Sequence, residues 1–255
     1  MSYQFIKNEV ENGIIHITLN RPEQLNVLTI PMMEELADAF KWAKTQSGAI
    51  VLLDAAGKAF SAGVDVADHT PDKVDSMIAV FDSIFHAMNE VEVPIVCAVN
   101  GAALGGGYEL VLFSDMVVIS EKAKLGQPEI QVGVFPPLAS YMLPIIASLP
   151  NAYELLLSGD VIDAARADKL GLVNAVLPVD GFEAGVQAFC KKFVKLSPIV
   201  LAYTKKAIKA GLNKGFVEGL KAIDDIYLKE LMPTADAKEG LQAFMEKRKP
   251  VWTGK

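Results

Sequence analysis

Short apolar runs alternate with amphipathic stretches through the first two-thirds of the chain. Asn12-Gly13 lies between two alternating segments, a combination typical of a β-hairpin. Residues 30–43 and 72–91 repeat apolar positions at helical spacing. Continuously apolar runs, typical of strands buried on both faces, occupy 49–55, 94–99 and 115–120. This alternation of strands and helices predicts an α/β layer structure.

The strand signal weakens after about residue 140, and helical stretches follow. They are YMLPIIAS, NAYELLLSG, FEAGVQAFCKKFVKL and SPIVLAYTKKAIKAGL, then a longer stretch over 215–231 and an amphipathic tail that ends basic. The segment 172–178 is the exception, because its pattern also fits a strand that returns to the core. We therefore predict an α/β core over 1–195 and a helical part over 196–255, with a soft boundary.

Composition narrows the class of protein. The 255 residues are 51% apolar and 22% charged, which excludes a disordered chain. The net charge of −7 argues against nucleic-acid or anionic-membrane binding, since both need a basic face. The first residues carry no signal-peptide pattern, and no run approaches the roughly 18 uncharged apolar residues of a membrane span. We therefore expect a cytoplasmic protein.

Cysteine and histidine are sparse. Cys97 and Cys190 cannot form a disulfide framework or a cysteine-based zinc site, and their apolar neighbours predict that both are buried. His16, His69 and His86 lack the spacing of a histidine metal site. We expect no bound metal.

Two glycine-bearing turns after predicted strands are candidate binding elements. In GKAFSAGVDV, Gly63 allows a tight turn whose backbone can approach a ligand. In GAALGGGYE, glycines 105–107 open a helix, where free amides and the helix dipole favour negative charge. The glycines are not followed by the GK[ST] of a P-loop, and they lie too far into the chain for a dinucleotide-binding fingerprint. From the residues alone, an ordinary strand-to-helix turn stays open for each.

Glu109 and Glu129 are candidate acid–base residues. Glu109 interrupts an apolar helix just after the glycines, and Glu129 follows Gln127-Pro128 in KLGQPEIQVG. Neither has an obvious basic partner four residues away, and buried carboxylates carry raised pKa values that suit them to proton transfer. Each alone could be a surface acid. Together, beside a glycine-rich anion site, they favour a catalytic interpretation.

Several segments resemble, in order, the signature motifs of the enoyl-CoA hydratase/isomerase (crotonase) superfamily. They are AFSAGVDV, NGAALGGGYEL and GQPEI, with LNRPEQLNVL similar to the coenzyme A loop. The resemblance extends to GLVNAVLP and FMEKRKP and covers nearly the whole chain. It implies a crotonase fold of repeated ββα units, an acyl-CoA thioester substrate and no separate cofactor. It also implies a homo-oligomer, a trimer or hexamer, with residues 196–255 serving assembly.

The same resemblance implies catalytic roles. The thioester oxygen would lie in an oxyanion hole formed by the backbone amides of Val64 and Gly106. Glu109 would orient and deprotonate water, and Glu129 would deliver the proton to carbon. The presence of both acids favours water addition or elimination, because isomerases and hydrolases of the superfamily often lack one of them.

Coenzyme A would run along residues 21–27, with backbone groups near Asn26 and Val27 meeting the adenine. The implied contact residues are Arg21, Gln24, Leu25, Asn26, Val27, Lys58, Ala62 and Lys247. Lys58 and the tail residues Lys247, Arg248 and Lys249 are the candidates for its phosphates, and a solvated charged face is the alternative. Such local positive groups would bind an anionic ligand on an acidic protein.

The segment after QPEI departs from the family pattern. Where GAGG and a Gln-Arg pair are usual, this chain has QVGVFPPLASYMLP. We predict an apolar substrate wall from Phe135, Pro136, Pro137 and Leu138, with the proline pair stiffening it. VFPPLA resembles the loop of the dienoyl-CoA hydratases of anaerobic aromatic degradation. Those enzymes add water to the β-carbon of cyclohexa-1,5-diene-1-carbonyl-CoA and a proton to the far end of its diene.

A few further side chains have two interpretations. Asp65 is a candidate for the pocket or for a cap, and Asp115 for a cap or a loop acid. Phe81, Tyr108 and Tyr141 can line the pocket, although core packing is the commoner fate of such residues.

Three functions stay open at this stage. The first is an acyl-CoA hydratase, acting on a cyclic dienoyl-CoA or on a straight-chain enoyl-CoA of fatty acid β-oxidation. The second is an isomerase, thioester hydrolase or decarboxylase of the same superfamily. The third is a catalytically silent protein that binds RNA or a partner. Both acids and both amide loops are intact, and there is no basic stripe with interleaved aromatic residues, which argues against the third.

Overall fold

A computed structural model describes residues 3–255, so residues 1 and 2 of the predicted core region lie outside the described part. The strands are β1 Ile6–Glu11, β2 Ile14–Leu19, β3 Ile50–Ala55, β4 Ile95–Val99, β5 Ala102–Leu104, β6 Met116–Ser120, β7 Lys124–Gly126, β8 Val161–Asp163 and β9 Ala175–Leu177. A six-stranded sheet has the order β1-β2-β3-β4-β6-β9, and a three-stranded sheet has the order β5-β7-β8. In the larger sheet β1 and β2 pair antiparallel and the other neighbours pair parallel.

Helices cover both faces of the larger sheet and form the last quarter of the chain. They are α1 Ile30–Ala43, α2 Val74–Glu90, α3 Gly106–Phe113, α4 Pro137–Ile146, α5 Leu149–Ser158, α6 Ala164–Lys169, α7 Phe182–Val194, α8 Pro198–Gly211, α9 Phe216–Ile226 and α10 Ala235–Met245. A π-helical turn, Tyr227–Leu231, extends α9. Pro31 lies in the first turn of α1, where its missing N–H costs no hydrogen bond.

Alternation along β3 divides the core into two sides. Val51 and Leu53 belong to the larger apolar cluster, which includes residues of α1 and α2. Leu52 belongs to the smaller cluster, together with Val186 and Cys190 of α7. Successive residues of β3 are therefore buried on opposite faces of the sheet. This explains why the sequence of β3 is continuously apolar instead of alternating.

The larger elements follow the sequence pattern and the smallest do not. The hairpin, the buried strands and the two long helices are confirmed, and 172–178 contains β9. The segment 101–107 was predicted as a turn only, but it contains β5. The predicted weakening of strand structure after residue 140 missed β8, and the helical prediction missed α6. These strands are three residues long, too short for a pattern to register.

The last helices are anchored to the core by a buried ion pair. Lys205 of α8 is 8% exposed, and its Nζ lies 2.6 Å from the Asp115 carboxylate and 3.1 Å from the carbonyl oxygen of Val93. Asp115 also accepts a 2.7 Å hydrogen bond from the N–H of Ile95, so it is an ion-pair partner rather than a helix cap. The predicted boundary near residue 195 stays a prediction.

Three further expectations concern the cysteines, membrane spans and metal ligands. Cys97 and Cys190 are free and buried, as predicted. Within residues 3–255, no helix has the length and apolarity needed to cross a bilayer. In the same residues, no three His, Cys, Asp or Glu side chains are grouped as metal ligands would be.

Candidate active site

The loop after β3 brings a free backbone amide to the edge of the larger sheet. Gly63 has φ +100°, and its carbonyl oxygen accepts a 2.8 Å hydrogen bond from the N–H of Leu28. Asp65 returns the bond by donating its N–H to the carbonyl oxygen of Leu28 at 2.9 Å. The N–H of Val64, between them, has no acceptor among residues 3–255. That amide is therefore available to a ligand.

The glycines at the start of α3 bring a second free amide beside the first. Gly105 has φ +52°, a conformation that favours glycine, and precedes the helix. A Cβ on Gly106 would lie 2.7 Å from Cγ2 of Val64 and 3.1 Å from Cζ of Phe81. Only a residue without a side chain permits that approach. The N–H of Gly106 also has no acceptor within the described residues, so two free amides lie at adjacent positions.

Glu109 lies one turn into α3 and is almost completely buried, with 2% of its surface exposed. Its Oε1 accepts a 2.8 Å hydrogen bond from the N–H of Ala139. Its pKa is raised to about 7, chiefly by burial and also by the negative charge of Glu129, against the lowering effect of the backbone N–H groups of Ala139 and Leu138. At neutral pH this carboxyl group is therefore poised between its two protonation states.

Glu129 lies on a short 3-10 turn, Pro128–Val132, and is less deeply buried. Its Oε1 would lie 2.8 Å from a Cβ on Gly105, so the carboxylate approaches the glycine that precedes the second free amide. Burial raises its pKa, and the positive charge of His69 lowers it. The two glutamates thus flank the same glycine segment from different elements.

A buried amide supports Glu129 from the other direction. Gln127 is 1% exposed, and one end of its amide lies 3.1 Å from both oxygens of Glu129; we assign the nitrogen to that end, because an oxygen there would face only acceptors. This orientation gives the amide nitrogen and the carboxylate oxygens hydrogen-bond partners. No role was predicted for Gln127 from the sequence. Its spacing, two residues before the acid, was the available signal.

The arrangement suits acyl thioester chemistry. Two convergent N–H groups can hold the charge that develops on a carbonyl oxygen. Two carboxyl groups with raised pKa values can exchange protons with water and with carbon. Because the negative charge of Glu129 raises the pKa of Glu109, the pair disfavours carrying two negative charges at once.

The loop that we predict to contact coenzyme A is held in shape by the hydrogen bonds of a buried side chain, Asn26. Asn26 is fully buried with φ +52°. Its side chain donates to the carbonyl oxygens of Ala56 and Ala59 at 2.9 and 3.0 Å and accepts from the N–H of Arg21 at 2.8 Å. Its own carbonyl oxygen accepts from Ser61 Oγ at 2.8 Å. The side chain of Asn26 therefore supports the loop, and backbone contacts to the adenine near Asn26 and Val27 stay a prediction.

Other residues of the loop divide between internal bonds and solvent. The Arg21 guanidinium donates to the carbonyl oxygen of Val27 at 3.2 Å and lies over Phe5. The N–H of Ala62 donates to the carbonyl oxygen of Leu25 at 3.0 Å, so this N–H is already used within the protein. Gln24 and Leu25 are exposed on the same loop, and their part in coenzyme A binding stays a prediction.

The basic residues that we predict to contact the coenzyme A phosphates differ in whether their charge is already paired within the protein. Lys58 and Lys247 are exposed. Arg248 is bound to Glu239 at 2.6 Å and to Glu246 at 2.6 Å, so its charge is already compensated and its suggested phosphate contact is not supported. Trp252 Nε1 donates to the carbonyl oxygen of Lys195 at 3.0 Å, which places the tail against the start of the helical part.

The unusual loop contributes through its backbone more than through an apolar wall. Pro136 is buried, Pro137 is the first residue of α4, and Leu138 packs partly buried against the core. The proline pair starts α4 so that its first free N–H groups meet Glu109. Phe135, in contrast, is 67% exposed. The predicted aromatic contribution of Phe135 to a closed wall is therefore not seen.

The remaining candidates resolve by geometry. Asp65 is a cap, because its carboxylate accepts from the N–H of Ala67 at 3.0 Å. Phe81 contacts the glycine segment and lines the site. Tyr108 is 1% exposed and is part of the core, which is the commoner fate of such a residue. Tyr141 is 62% exposed, so its side chain faces mostly solvent.

Comparison with known proteins gives a consistent set of matches. A family model described as enoyl-CoA hydratase/isomerase matches residues 9–255. A probable enoyl-CoA hydratase of Rhizobium meliloti is 37% identical over 98% of both chains. The cyclohexa-1,5-dienecarbonyl-CoA hydratase of Thauera aromatica is 34% identical over 96% of this chain and 94% of that protein. The crystal structure of an enoyl-CoA hydratase from Bacillus anthracis matches with a TM-score of 0.94 and 31% identity over 99% of this chain and 100% of that one. These matches confirm the predicted fold.

Proposed function

Because the chain belongs to the enoyl-CoA hydratase/isomerase family, we propose that it is a hydro-lyase that adds water to cyclohexa-1,5-diene-1-carbonyl-CoA. The observation that carries the hydratase part is the pair of glutamates, Glu109 buried and Glu129 partly buried, beside two free backbone amides. Named hydratases among the relatives support the same reaction class.

The two amides serve as the oxyanion hole. The thioester oxygen accepts from the N–H groups of Val64 and Gly106, and an enolate forms when water attacks the β-carbon. Loss of one such donor typically costs about 3–4 kcal/mol in the transition state. Because both donors are backbone groups, a valine at position 64 serves as well as a smaller residue.

The glutamates carry the protons. Glu109 in its ionised form takes one proton from water as the new C–O bond forms. Glu129 in its protonated form then gives its proton to carbon at the far end of the diene, and the enolate electron pair forms the new C–H bond. One proton enters the pair and one leaves, so the enzyme carries the same total charge before and after. This requires one shared proton, as the raised pKa values of both acids favour.

The thioester carries its own coenzyme A, so no further cofactor is needed. Gln24, Leu25 and Val27 lie on the loop beside Ala62, and Lys58 follows β3 near the same edge, which suits a phosphate-bearing ligand. A homo-oligomer, a trimer or hexamer, accounts for the exposed apolar residues of the helical part, among them Phe216, Leu228 and Phe244.

The cyclic acyl group is supported by the loop and by one relative. Leu138 and Ala139 replace the flexible glycines usual at this position and Pro136-Pro137 stiffens the loop, which leaves a stiff, apolar boundary beside Glu109. The relative from Thauera aromatica is named for this substrate. Other relatives carry the general enoyl-CoA hydratase name, so a straight-chain enoyl-CoA is the alternative.

The test is a hydration assay on two substrates in parallel, crotonyl-CoA and cyclohexa-1,5-diene-1-carbonyl-CoA, followed by absorbance and by mass. Wild type is compared with Glu109→Gln and Glu129→Gln. Glu92→Gln is the matched control, since Glu92 is exposed just after α2. We expect gain of one water on the cyclic substrate by wild type and by the control, and its loss in both site variants.

Each other outcome has a definite meaning. Hydration of crotonyl-CoA alone would keep the reaction and exclude the cyclic substrate. A shift of the double bond without a gain of mass would replace the hydratase by an isomerase. No change in either thioester would overturn hydration for these acyl groups.

A further inference from the structure

Ser61 joins the loop after β3 to the strand that leads into the glycine segment. Its side chain and backbone are fully buried. The N–H of Ser61 donates to the carbonyl oxygen of Ala102 at 3.1 Å, and its carbonyl oxygen accepts from the N–H of Leu104 at 3.0 Å. The backbone of Ser61 is therefore fixed against β5, the strand that ends just before Gly105.

The hydroxyl group of Ser61 holds two backbone groups at once. Its Oγ donates to the carbonyl oxygen of Asn26 at 2.8 Å and accepts from the N–H of Gly63 at 3.2 Å. Because a carbonyl oxygen only accepts and a hydroxyl has one hydrogen, the direction of both bonds is defined. Neither backbone group has another hydrogen-bond partner within residues 3–255. Without Oγ, both would be buried and unpaired.

The same side chain lies against the first turn of α3. A Cβ on Gly107 would lie 2.6 Å from Cβ and 2.8 Å from Oγ of Ser61, so this close approach requires glycine. On the other side of the contact, a Cβ on Gly63 would lie 3.8 Å from the amide nitrogen of Gly106. Ser61 thus contacts the residue before Val64 and the residue after Gly106, which are neighbours of the two free amides.

We infer that Ser61 is a positioning residue whose side chain sets the separation and direction of the free amides of Val64 and Gly106. Two donors stabilise one oxyanion only when both point at it from hydrogen-bond distance. The inference rests on the proposed function for its catalytic meaning. The two hydrogen bonds and the contact with Gly107 exist in the protein without a ligand.

The other contacts of this turn hold it on one side only. The N–H of Leu28 donates to the carbonyl oxygen of Gly63, and the N–H of Asp65 donates to the carbonyl oxygen of Leu28. These bonds attach the turn to the segment that follows the coenzyme A loop, and they do not reach α3. Removing the Ser61 hydroxyl should therefore leave the chain folded and let the turn shift relative to α3.

Crystal structures without ligand test the placement of the amides directly. Ser61→Ala is compared with wild type and with Ser120→Ala, the same substitution at a serine that is 1% exposed at the end of β6. In Ser61→Ala we expect the distance between the amide nitrogens of Val64 and Gly106 to change by about 0.5 Å, the usual tolerance of a functional constellation. Ser120→Ala should leave it as in wild type. Unchanged positions of both amides in Ser61→Ala would overturn the inference.

The carbonyl stretch of a bound thioester gives a second readout. The probe is cyclohexanecarbonyl-CoA with ¹³C at the carbonyl carbon, which is saturated and cannot add water. Hydrogen bonds from both amides polarise the carbonyl group and lower its stretching frequency in isotope-edited infrared difference spectra. We expect a smaller lowering in Ser61→Ala than in wild type and Ser120→Ala. Since only bound molecules are observed, a merely structural loss of folded protein leaves the frequency unchanged, and an equal shift in all three proteins contradicts the inference.

The division of the effect between kcat and KM gives a third readout. Removing a whole oxyanion donor costs about 10²–10³-fold in kcat, so misaligning a pair that keeps both donors should cost less, about tenfold. KM should stay within about twofold, because these donors act mainly on the charge of the transition state. A rise in KM at unchanged kcat would instead assign Ser61 to ground-state binding of the thioester and refute the inference.

Failure of the proposed function has a different signature. If the amides move in Ser61→Ala but wild type neither shifts the thioester carbonyl nor hydrates either substrate, acyl-CoA hydration is excluded. The role of Ser61 in placing the two amides then stands on the unliganded structures.

Discussion

The two glutamates of the site are held by different kinds of structure. Glu109 lies inside a helix and receives its donor from the first turn of another helix, at Ala139. Glu129 lies on a five-residue 3-10 turn and depends on side chains, Gln127 and His69, for its surroundings. The first environment is set by backbone and burial, whereas the second is set by side chains that substitution can change.

This difference separates two tasks. A deeply buried carboxyl group has its pKa raised mainly because charge is poorly solvated there. A partly buried group with a neutral hydrogen-bond donor beside it can respond to its neighbours. Glu109 is thus suited to hold or release a proton near neutral pH, and Glu129 to have its charge state adjusted.

The largest expected effect is on catalysis, when either acid is removed. Glu109→Gln should lower kcat by about 10²–10⁴-fold, the usual contribution of a positioned acid or base. Glu129→Gln should fall in the same range, and the double variant should lose little more than the worse single variant, because the two act as a unit. Steady-state hydration kinetics measure this. A single variant with full activity would remove that residue from the reaction.

The next effect is on stability and applies to Glu109 alone. Its folded pKa is about 7 against an ordinary 4.5, so the folded state favours the protonated form. Below pH 4.5 both states are protonated and burial carries no ionic cost. Above pH 7 the cost is complete and amounts to about 3 kcal/mol. Wild type should therefore lose stability relative to Glu109→Gln as the pH rises through this range.

Urea unfolding of wild type and Glu109→Gln at several pH values measures this difference. Glu129→Gln provides the comparison, and its stability difference should be smaller, because Glu129 is less completely buried. Parallel stability curves for wild type and Glu109→Gln would show that Glu109 is solvated in solution, contrary to its position in α3.

The sequence was most informative where burial imposes a long, regular pattern. The strand 49–55 and the helix 30–43 follow from continuous apolar and helical spacing, because β3 is covered on both faces and α1 on one. The strands β5, β7 and β8 were not predicted, because a segment of three residues is too short to show a hydrophobic period. Their pairing is decided by the neighbouring segments, which only the folded chain brings together.

At the site, residue types were easier to predict than partners. Glu109, Glu129 and the glycine turns stand out because acids and glycines are unusual between apolar runs. The donor to Glu109 is a backbone N–H, which no residue type reveals. Asn26 matched a ligand motif by position, yet its polar atoms are bound within the protein, and only tertiary contacts show this.

A smaller effect should follow when the side chain beneath Glu129 is changed. Gln127→Leu removes a donor 3.1 Å from both carboxylate oxygens and keeps a side chain of similar size. Hydrogen bonds to charged groups contribute about 1.5–3 kcal/mol, so kcat should fall by about 10- to 150-fold. Gln131→Leu, on the same turn but bound to Gly159, is the matched control and should stay within about twofold. Equal losses in both variants would assign the effect to the turn itself.

The smallest effect is expected at Phe135, and it tests how far the site extends beyond the two acids. The side chain is 67% exposed, whereas Leu138, three residues later, packs against the core. Phe135→Ala should therefore change the free energy of unfolding by no more than about 0.5 kcal/mol. It should leave kcat/KM on the cyclic thioester within about twofold, while Leu138→Ala lowers both stability and rate. A loss of more than about tenfold in Phe135→Ala at unchanged stability would show that this ring reaches the acyl group, as the sequence predicted, and that the protein closes over its substrate.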